Sequence, residues 1–160
     1  MGSFLSLPIL LLAAIAQSTL APQIQFLGGR PDLVLLLVLA WSVNADMDES
    51  VVWAFVGGIA QDLLSAMPTG TSTLGMIPLV FFVNSLNRQL YRIGLVFLVG
   101  LVIGGTLLKA LVQVAVLLLT GHQYDLAEIS YVVLPTILYN LVFIWPLYWF
   151  ARRVQRRLYG

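Results

Sequence analysis

Residues 93–120 read IGLVFLVGLVIGGTLLKALVQVAVLLLT and contain a single ionisable side chain, Lys109. A helix needs roughly 20 apolar residues to cross the hydrocarbon core of a bilayer, and this segment exceeds that length. Its hydrophobicity is continuous rather than alternating, which predicts a helix and not a strand of a membrane barrel. The segment therefore predicts an all-α integral membrane protein.

Five further apolar segments lie on either side of it, at residues 4–20, 33–43, 51–66, 71–86 and 131–150. The 33–43 segment is too short to cross a bilayer unaided. We therefore predict a compact bundle of six transmembrane helices, or of five with residues 33–43 half-inserted. No polar stretch is long enough to separate domains, so residues 1–160 are predicted to form a single transmembrane helical domain.

The amino-acid composition restricts the classes of function that this chain can have. The chain is 60% hydrophobic and 9% charged, its formal net charge is +1, and it has no cysteine and one histidine, His122. This balance disfavours nucleic-acid binding, and the absence of cysteine excludes disulfides and thiolate metal sites. The chain lacks the motifs Gly-x-Ser-x-Gly, His-Glu-x-x-His and Gly-x-x-x-x-Gly-Lys, and it lacks a cluster of titratable groups able to divide acid and base roles. We predict no cofactor, no metal and no enzymatic activity.

The basic residues predict an orientation. With six spans, Arg88 and Arg92 fall on the same side as the C-terminal arginines, and Arg30 falls on the other side. The excess of arginine places both termini in the cytoplasm. The C-terminal arginines are predicted either to anchor this topology or to bind anionic lipid or a cytoplasmic partner. They are Arg152, Arg153, Arg156 and Arg157.

Asp62 and Lys109 are the two ionisable residues inside apolar segments. Charges at membrane depth are costly and usually face a partner or a polar cavity. Counting about 1.5 Å per residue, Asp62 lies roughly 18 Å and Lys109 roughly 25 Å from the inner ends of their helices. We predict that Lys109 reaches Asp62, with Gln61 and Thr106 completing the hydrogen bonding. The pair either supports partner binding or only sets helix register, and water reaching Asp62 from outside is a third reading.

Small residues spaced four apart predict close helix contacts. Gly100 and Gly104 form one such pair, and Ala54 and Gly58 form another. Such faces let helix backbones approach one another, within the bundle or against a partner. Packing within the bundle is the commoner of the two, and it is the role we predict.

Two motifs carry a resemblance to a known family. Residues 30–37 (RPDLVLLL) and 58–70 (GIAQDLLSAMPTG), together with the length and the six-segment layout, resemble the bacterial rod-shape-determining protein MreD family. The resemblance implies a non-enzymatic scaffold of the cell-elongation machinery, the elongasome, in the bacterial inner membrane. Such a scaffold binds MreC and supports the SEDS peptidoglycan polymerase and the class B penicillin-binding protein that build the wall and maintain cell shape.

Within these motifs, we predict that one set of residues shapes the outer face, structurally or as a partner site. Pro68 and Gly70 would form a tight return between the third and fourth segments, and Asp32 would stabilise a helix start. The full set is Arg30, Pro31, Asp32, Gln61, Ser65, Pro68 and Gly70.

Two other functions remain open. The family is also similar in fold to the substrate-binding components of energy-coupling-factor vitamin transporters, which need an occluded pocket that Trp41, Trp53 and Asn84 would have to line. A proton-coupled transporter would use Asp62 and Lys109. Transporters commonly contain internal repeats, and the two halves of this chain show no convincing similarity.

Overall fold

The architecture is that of a computed structural model, which describes residues 2–89, 94–123 and 125–160. Arg92 and Ile93, used in the sequence predictions, lie outside the described residues. No β-strand occurs in the described ranges, so the predicted all-α class is confirmed. The described residues form six α-helices, which are α1 (Gly2–Thr19), α2 (Leu33–Ser42), α3 (Met47–Leu63), α4 (Thr71–Gln89), α5 (Leu95–Leu119) and α6 (Leu126–Tyr159).

Helix α2 is the centre of the bundle. It has ten residues, about 15 Å of helix, and nine of them are buried. It packs against α1, α3, α4, α5 and α6. Its unbroken apolar sequence therefore reflects burial inside protein on every side rather than contact with lipid.

Three stretches are long and apolar enough to cross a membrane, Ser3–Gln23, α5 and α6. Their surfaces expose large apolar side chains, as Val96 (88%) and Leu119 (87%) on α5 show. Apolar exposure on this scale is expected where lipid is the solvent. The structure thus supports a membrane protein with six helices, while six complete spans remain a prediction.

The bundle has two chemically distinct ends. The basic end carries the α2–α3 connection, the last turn of α4 and the C-terminal part of α6, where Arg88 and Arg152 line one pocket. The opposite end, called the cleft end here, carries Arg30, the α3–α4 connection and the first turns of α6. All four C-terminal arginines are exposed, and the guanidinium of Arg153 lies 5.0 Å from the centre of the Trp149 ring.

The two small-residue pairs differ in burial and in what lies next to them. Ala54 is fully buried within the bundle, and a Cβ at Gly58 would meet the Thr73 backbone at 2.6 Å, so Gly58 packs α3 closely against α4. Gly100 and Gly104 are exposed, and a Cβ at either would meet no atom of the described residues within 4 Å. Their predicted packing role within the bundle is therefore wrong for this chain alone. The close contact on α5 falls instead at Gly105, one residue further along.

Candidate functional site

Lys109 lies in the middle of α5, and its side chain is only 4% exposed. Its ammonium group forms an ion pair with the carboxylate of Asp32 and donates a hydrogen bond to Gln61 Oε1 at 2.6 Å. A charge buried at this depth is tolerated when it is both paired and hydrogen-bonded. The cluster of Asp32, Gln61 and Lys109, referred to below as the buried triad, joins α2, α3 and α5.

Asp32 is held by several neighbours besides Lys109. Its Oδ1 accepts hydrogen bonds from the backbone N–H of Leu35 at 3.1 Å and from Gln61 Nε2 at 3.2 Å. The carboxylate therefore caps the N-terminus of α2, as predicted, where the helix dipole also favours negative charge. Because α2 starts deep in the bundle, this cap lies at the depth of Lys109.

Asn140 extends the network to α6. Its Oδ1 accepts from the backbone N–H of Asp32 at 2.8 Å, and its Nδ2 donates to Thr106 Oγ1 at 2.9 Å. Asn140 is fully buried. Buried amides need partners for both ends of the side chain, and this one has them. The polar network thus connects four helices around the start of α2.

Asp62 belongs to a hydrogen-bond network separate from the buried triad. It is 2% exposed, and its carboxylate accepts from the backbone N–H of Gly70 at 2.7 Å and of Ser72 at 3.1 Å. These donors are backbone groups at the start of α4, which would otherwise lack partners. The prediction that Lys109 pairs with Asp62 is therefore wrong. The reason is that α3 ends at Leu63, so Asp62 sits at a helix end facing the return rather than facing α5.

The return between α3 and α4 has the predicted form. The Pro68 carbonyl accepts from the backbone N–H of Thr71 at 3.2 Å and from its hydroxyl at 2.7 Å. Gly70 has φ +100°, a left-handed conformation that glycine adopts without strain. Ser65 binds locally, its hydroxyl donating to the Asp62 carbonyl at 3.3 Å. Asp62, Pro68 and Gly70 together therefore fix one compact connection.

A polar cleft of about 440 Å³ opens beside the buried triad. Five of the predicted outer-face residues line it, and the sequence reasoning missed several other polar members. The predicted ones are Arg30, Pro31, Asp32, Gln61 and Ser65; the others are Gln17, Ser18, Ser72, Gln113 and Thr136. Amide side chains inside apolar segments were the overlooked signal, at Gln17, Gln113 and Asn140.

Hydrogen bonding and charge recognition are the chemistry that this cleft offers. The Arg30 side chain is exposed, and no carboxylate lies within ion-pair distance of it in the described part of the chain. The other lining groups are amides and hydroxyls, with one carboxylate already neutralised by Lys109. Such a surface suits docking of a polar or acidic segment. Across the described residues, no three His, Asp or Glu side chains are grouped to hold a metal ion.

The aromatic residues considered for a vitamin pocket lie elsewhere. Trp41 and Trp53 are fully buried and stack on each other, with ring centroids 4.0 Å apart. Asn84 lines a pocket at the basic end. None of the three lines the polar cleft, so the convergence that a vitamin-binding component would need is not found there.

Comparison with protein families decides the identity. The family model described as rod shape-determining protein MreD matches residues 1–157. The chain belongs to the MreD family. Neither the curated proteins nor the solved structures gave a match. Membership makes this protein a rod shape-determining membrane protein, and it confirms the resemblance that residues 30–37 and 58–70 carried. The MreD description names a role in cell shape and no reaction.

Proposed function

We propose that this MreD-family protein is a non-enzymatic scaffold of the cell-elongation machinery in the bacterial inner membrane. In this role it binds MreC and supports the SEDS polymerase and the class B penicillin-binding protein during peptidoglycan synthesis. The observation that carries the proposal is the family match over residues 1–157. The buried triad adds a physical reason, because it gives the bundle a rigid core on which a partner can dock.

The orientation follows from the distribution of arginine. Arg88 and Arg152 line one pocket, so the end of α4 and the C-terminal part of α6 lie at the same end of the bundle. The described arginines at this end outnumber Arg30 at the other by five to one. The positive-inside rule then favours a cytoplasmic basic end, with both termini on that side and the polar cleft facing outward.

Within this orientation the polar cleft is the proposed partner site. Arg30 stands exposed at its rim, and Gln17 and Gln113 offer amide groups within it. A partner's membrane-proximal segment with acidic or carbonyl groups would match these donors. MreC is the partner we expect there.

The vitamin-transport alternative has less support. The cleft has a volume within the range of small-molecule pockets, but aromatic side chains are missing from its described lining. Trp41 and Trp53 stack on each other, and the indole N–H of Trp41 donates to Glu49 Oε1 at 2.6 Å. We therefore retain the scaffold as the proposal and let the same experiment test the alternative.

The test is affinity purification of the tagged protein from its native membrane in mild detergent, followed by mass spectrometry of proteins and small molecules. We expect MreC and the wall synthases to be recovered. Recovery of an ATPase with a coupling subunit, or of a stoichiometric vitamin, would overturn the scaffold. The variant Arg30→Gln should reduce MreC recovery severalfold, because an interfacial charge pair contributes about 1.5 kcal/mol or more.

Arg157→Gln is the matched control. It removes the same charge from an exposed position at the basic end, so MreC recovery should stay at the level of the unchanged protein. Equal recovery with Arg30→Gln would show that the rim of the polar cleft does not contact MreC.

A further inference from the structure

An apolar groove of about 700 Å³ runs between α4 and α5 on the outer surface of the bundle. Glycines and large apolar side chains line it. Its members are Leu79, Phe82, Gly94, Val96, Phe97, Gly100, Leu101, Gly104, Gly105 and Leu108. From Gly94 to Leu108 it follows about 21 Å of helix, more than half of the roughly 30 Å hydrocarbon core. The groove is thus long enough for the acyl chain of a lipid from one leaflet.

A polar pocket of about 720 Å³ adjoins the groove at the basic end. Gly94, the residue that directly precedes α5, lines both cavities, so the two cavities meet there. Arg88 and Arg152 line the pocket from α4 and α6, and Tyr148 lies beside Arg152. The apolar and the basic surfaces therefore adjoin at Gly94 and form one continuous site.

The charge of this pocket is positive. Neither Arg88 nor Arg152 has a carboxylate within ion-pair distance in the described ranges, and both side chains are exposed. Asp46 also lines the pocket, which leaves two guanidinium groups against one carboxylate. Guanidinium groups bind phosphate oxygens with paired hydrogen bonds, and the Tyr148 hydroxyl adds a further donor.

We propose that this site binds an anionic phospholipid, with the headgroup phosphate between Arg88 and Arg152 and one acyl chain in the groove over Gly100 and Gly104. The two parts have the amphipathic division of a lipid, polar at the headgroup layer and apolar within the membrane. A partner's transmembrane helix would fill the groove but would leave the basic pocket unused. The inference goes beyond the proposed scaffold function and holds whichever side of the membrane the basic end faces.

The glycines allow a test that leaves the fold intact. A Cβ at Gly100 would meet no described atom within 4 Å, so Gly100→Leu adds bulk to the groove from an open position. Ala115→Leu is its matched control, because Ala115 is an exposed residue of α5 outside the groove. The pocket is tested by Arg88→Gln with Arg152→Gln. Arg156→Gln with Arg157→Gln removes equal charge from exposed positions outside the pocket.

The measurement is native mass spectrometry of the purified full chain in nonionic detergent, with added phosphatidylglycerol or with phosphatidylcholine of the same acyl chains. We expect a retained phosphatidylglycerol adduct and a much weaker phosphatidylcholine adduct. The Arg88/Arg152 variant should weaken phosphatidylglycerol binding roughly 25-fold, about fivefold for each arginine. Gly100→Leu should also weaken it, while both controls bind as the unchanged protein does.

Three results would overturn the proposal. Equal retention of the two lipids would remove the role of the headgroup charge. An equal loss in both arginine pairs would indicate diffuse attraction to a basic surface instead of a site. Unchanged binding in Gly100→Leu would show that no acyl chain lies in the groove.

Discussion

At the scale of single residues, Lys109 shows how a charge is held inside the bundle. Its buried ammonium group is balanced by Asp32 and held by Gln61. Removing one member of a buried ion pair leaves the other charge without compensation, which typically costs about 3–5 kcal/mol. Removing both charges avoids that penalty. The pairing of Lys109 with Asp32 can therefore be measured as the coupling free energy between a substitution at each residue.

We expect Lys109→Met and Asp32→Asn to destabilise the protein singly and to show a coupling of about 1–3 kcal/mol when combined. Asparagine retains the Oδ1 atom that caps α2, so the substitution removes mainly the charge. The measurement is the free energy of unfolding in mixed detergent micelles. Combining Lys109→Met with Asp62→Asn is the control, and its losses should add within about 0.5 kcal/mol. Strong coupling in the control alone would restore Asp62 as the partner of Lys109.

The sequence patterns predict the charged residues of this core and Gln61, but they do not predict which residues pair with each other. Asp62 and Lys109 were found because charges are rare in apolar segments, and Gln61 was correctly predicted to support Lys109. Asp32 was placed at the start of a helix, yet nothing in the sequence shows that this helix begins halfway through the bundle. Asn140 and Gln113 are neutral, so they carried a weaker signal than the charges did.

At the scale of helices, the glycines of α3 and α5 have opposite environments. Gly58 lies against the Thr73 backbone, and a Cβ there would come within 2.6 Å of main-chain atoms. Backbone cannot rotate aside as a side chain can, so α3 and α4 would have to separate. Gly100 and Gly104 face open space on α5.

We therefore expect Gly58→Ala to destabilise the protein by about 1–3 kcal/mol through overpacking. Gly104→Ala is the matched control and should stay within about 0.5 kcal/mol of the unchanged protein, as exposed substitutions usually do. Thermal unfolding in detergent measures both. A Gly58→Ala protein as stable as the control would mean that α3 and α4 are not in close contact.

Helix boundaries explain which element predictions succeeded. The predicted segments 71–86 and 131–150 lie within α4 and α6. These predictions succeed because long apolar runs identify helices well. The predicted segment 51–66 extends past Leu63, where α3 ends, so the prediction places Asp62 in a helix interior and not at the helix end where the structure has it. The sequence shows that segment 33–43 is short. Its burial on every side cannot be predicted from the segment itself, because that burial depends on contacts with five other helices.

At the scale of the whole molecule, the two ends of the bundle should lie on opposite sides of the membrane. The chain has no cysteine, so single cysteines can be introduced without background. Asp48 is exposed at the start of α3, and Thr69 is exposed in the α3–α4 return at the other end. These positions report the two ends independently.

We expect Thr69→Cys to react with a membrane-impermeant maleimide in intact spheroplasts and Asp48→Cys to react only after permeabilisation. The expectation follows from the excess of arginine at the basic end. Labelling both positions in denatured protein controls for thiol reactivity. The reverse pattern would invert the topology and place the polar cleft in the cytoplasm.

The deep start of α2 has a consequence for how the chain is made. Asp32 emerges from the ribosome 77 residues before Lys109, the cation that balances it. At about 5–20 residues per second, synthesis leaves the carboxylate without that cation for roughly 4 to 15 s. During this interval α2 is too short to enter the lipid as an independent span. The buried surroundings of the start of α2 are therefore complete only after α5 has been made and Lys109 pairs with Asp32.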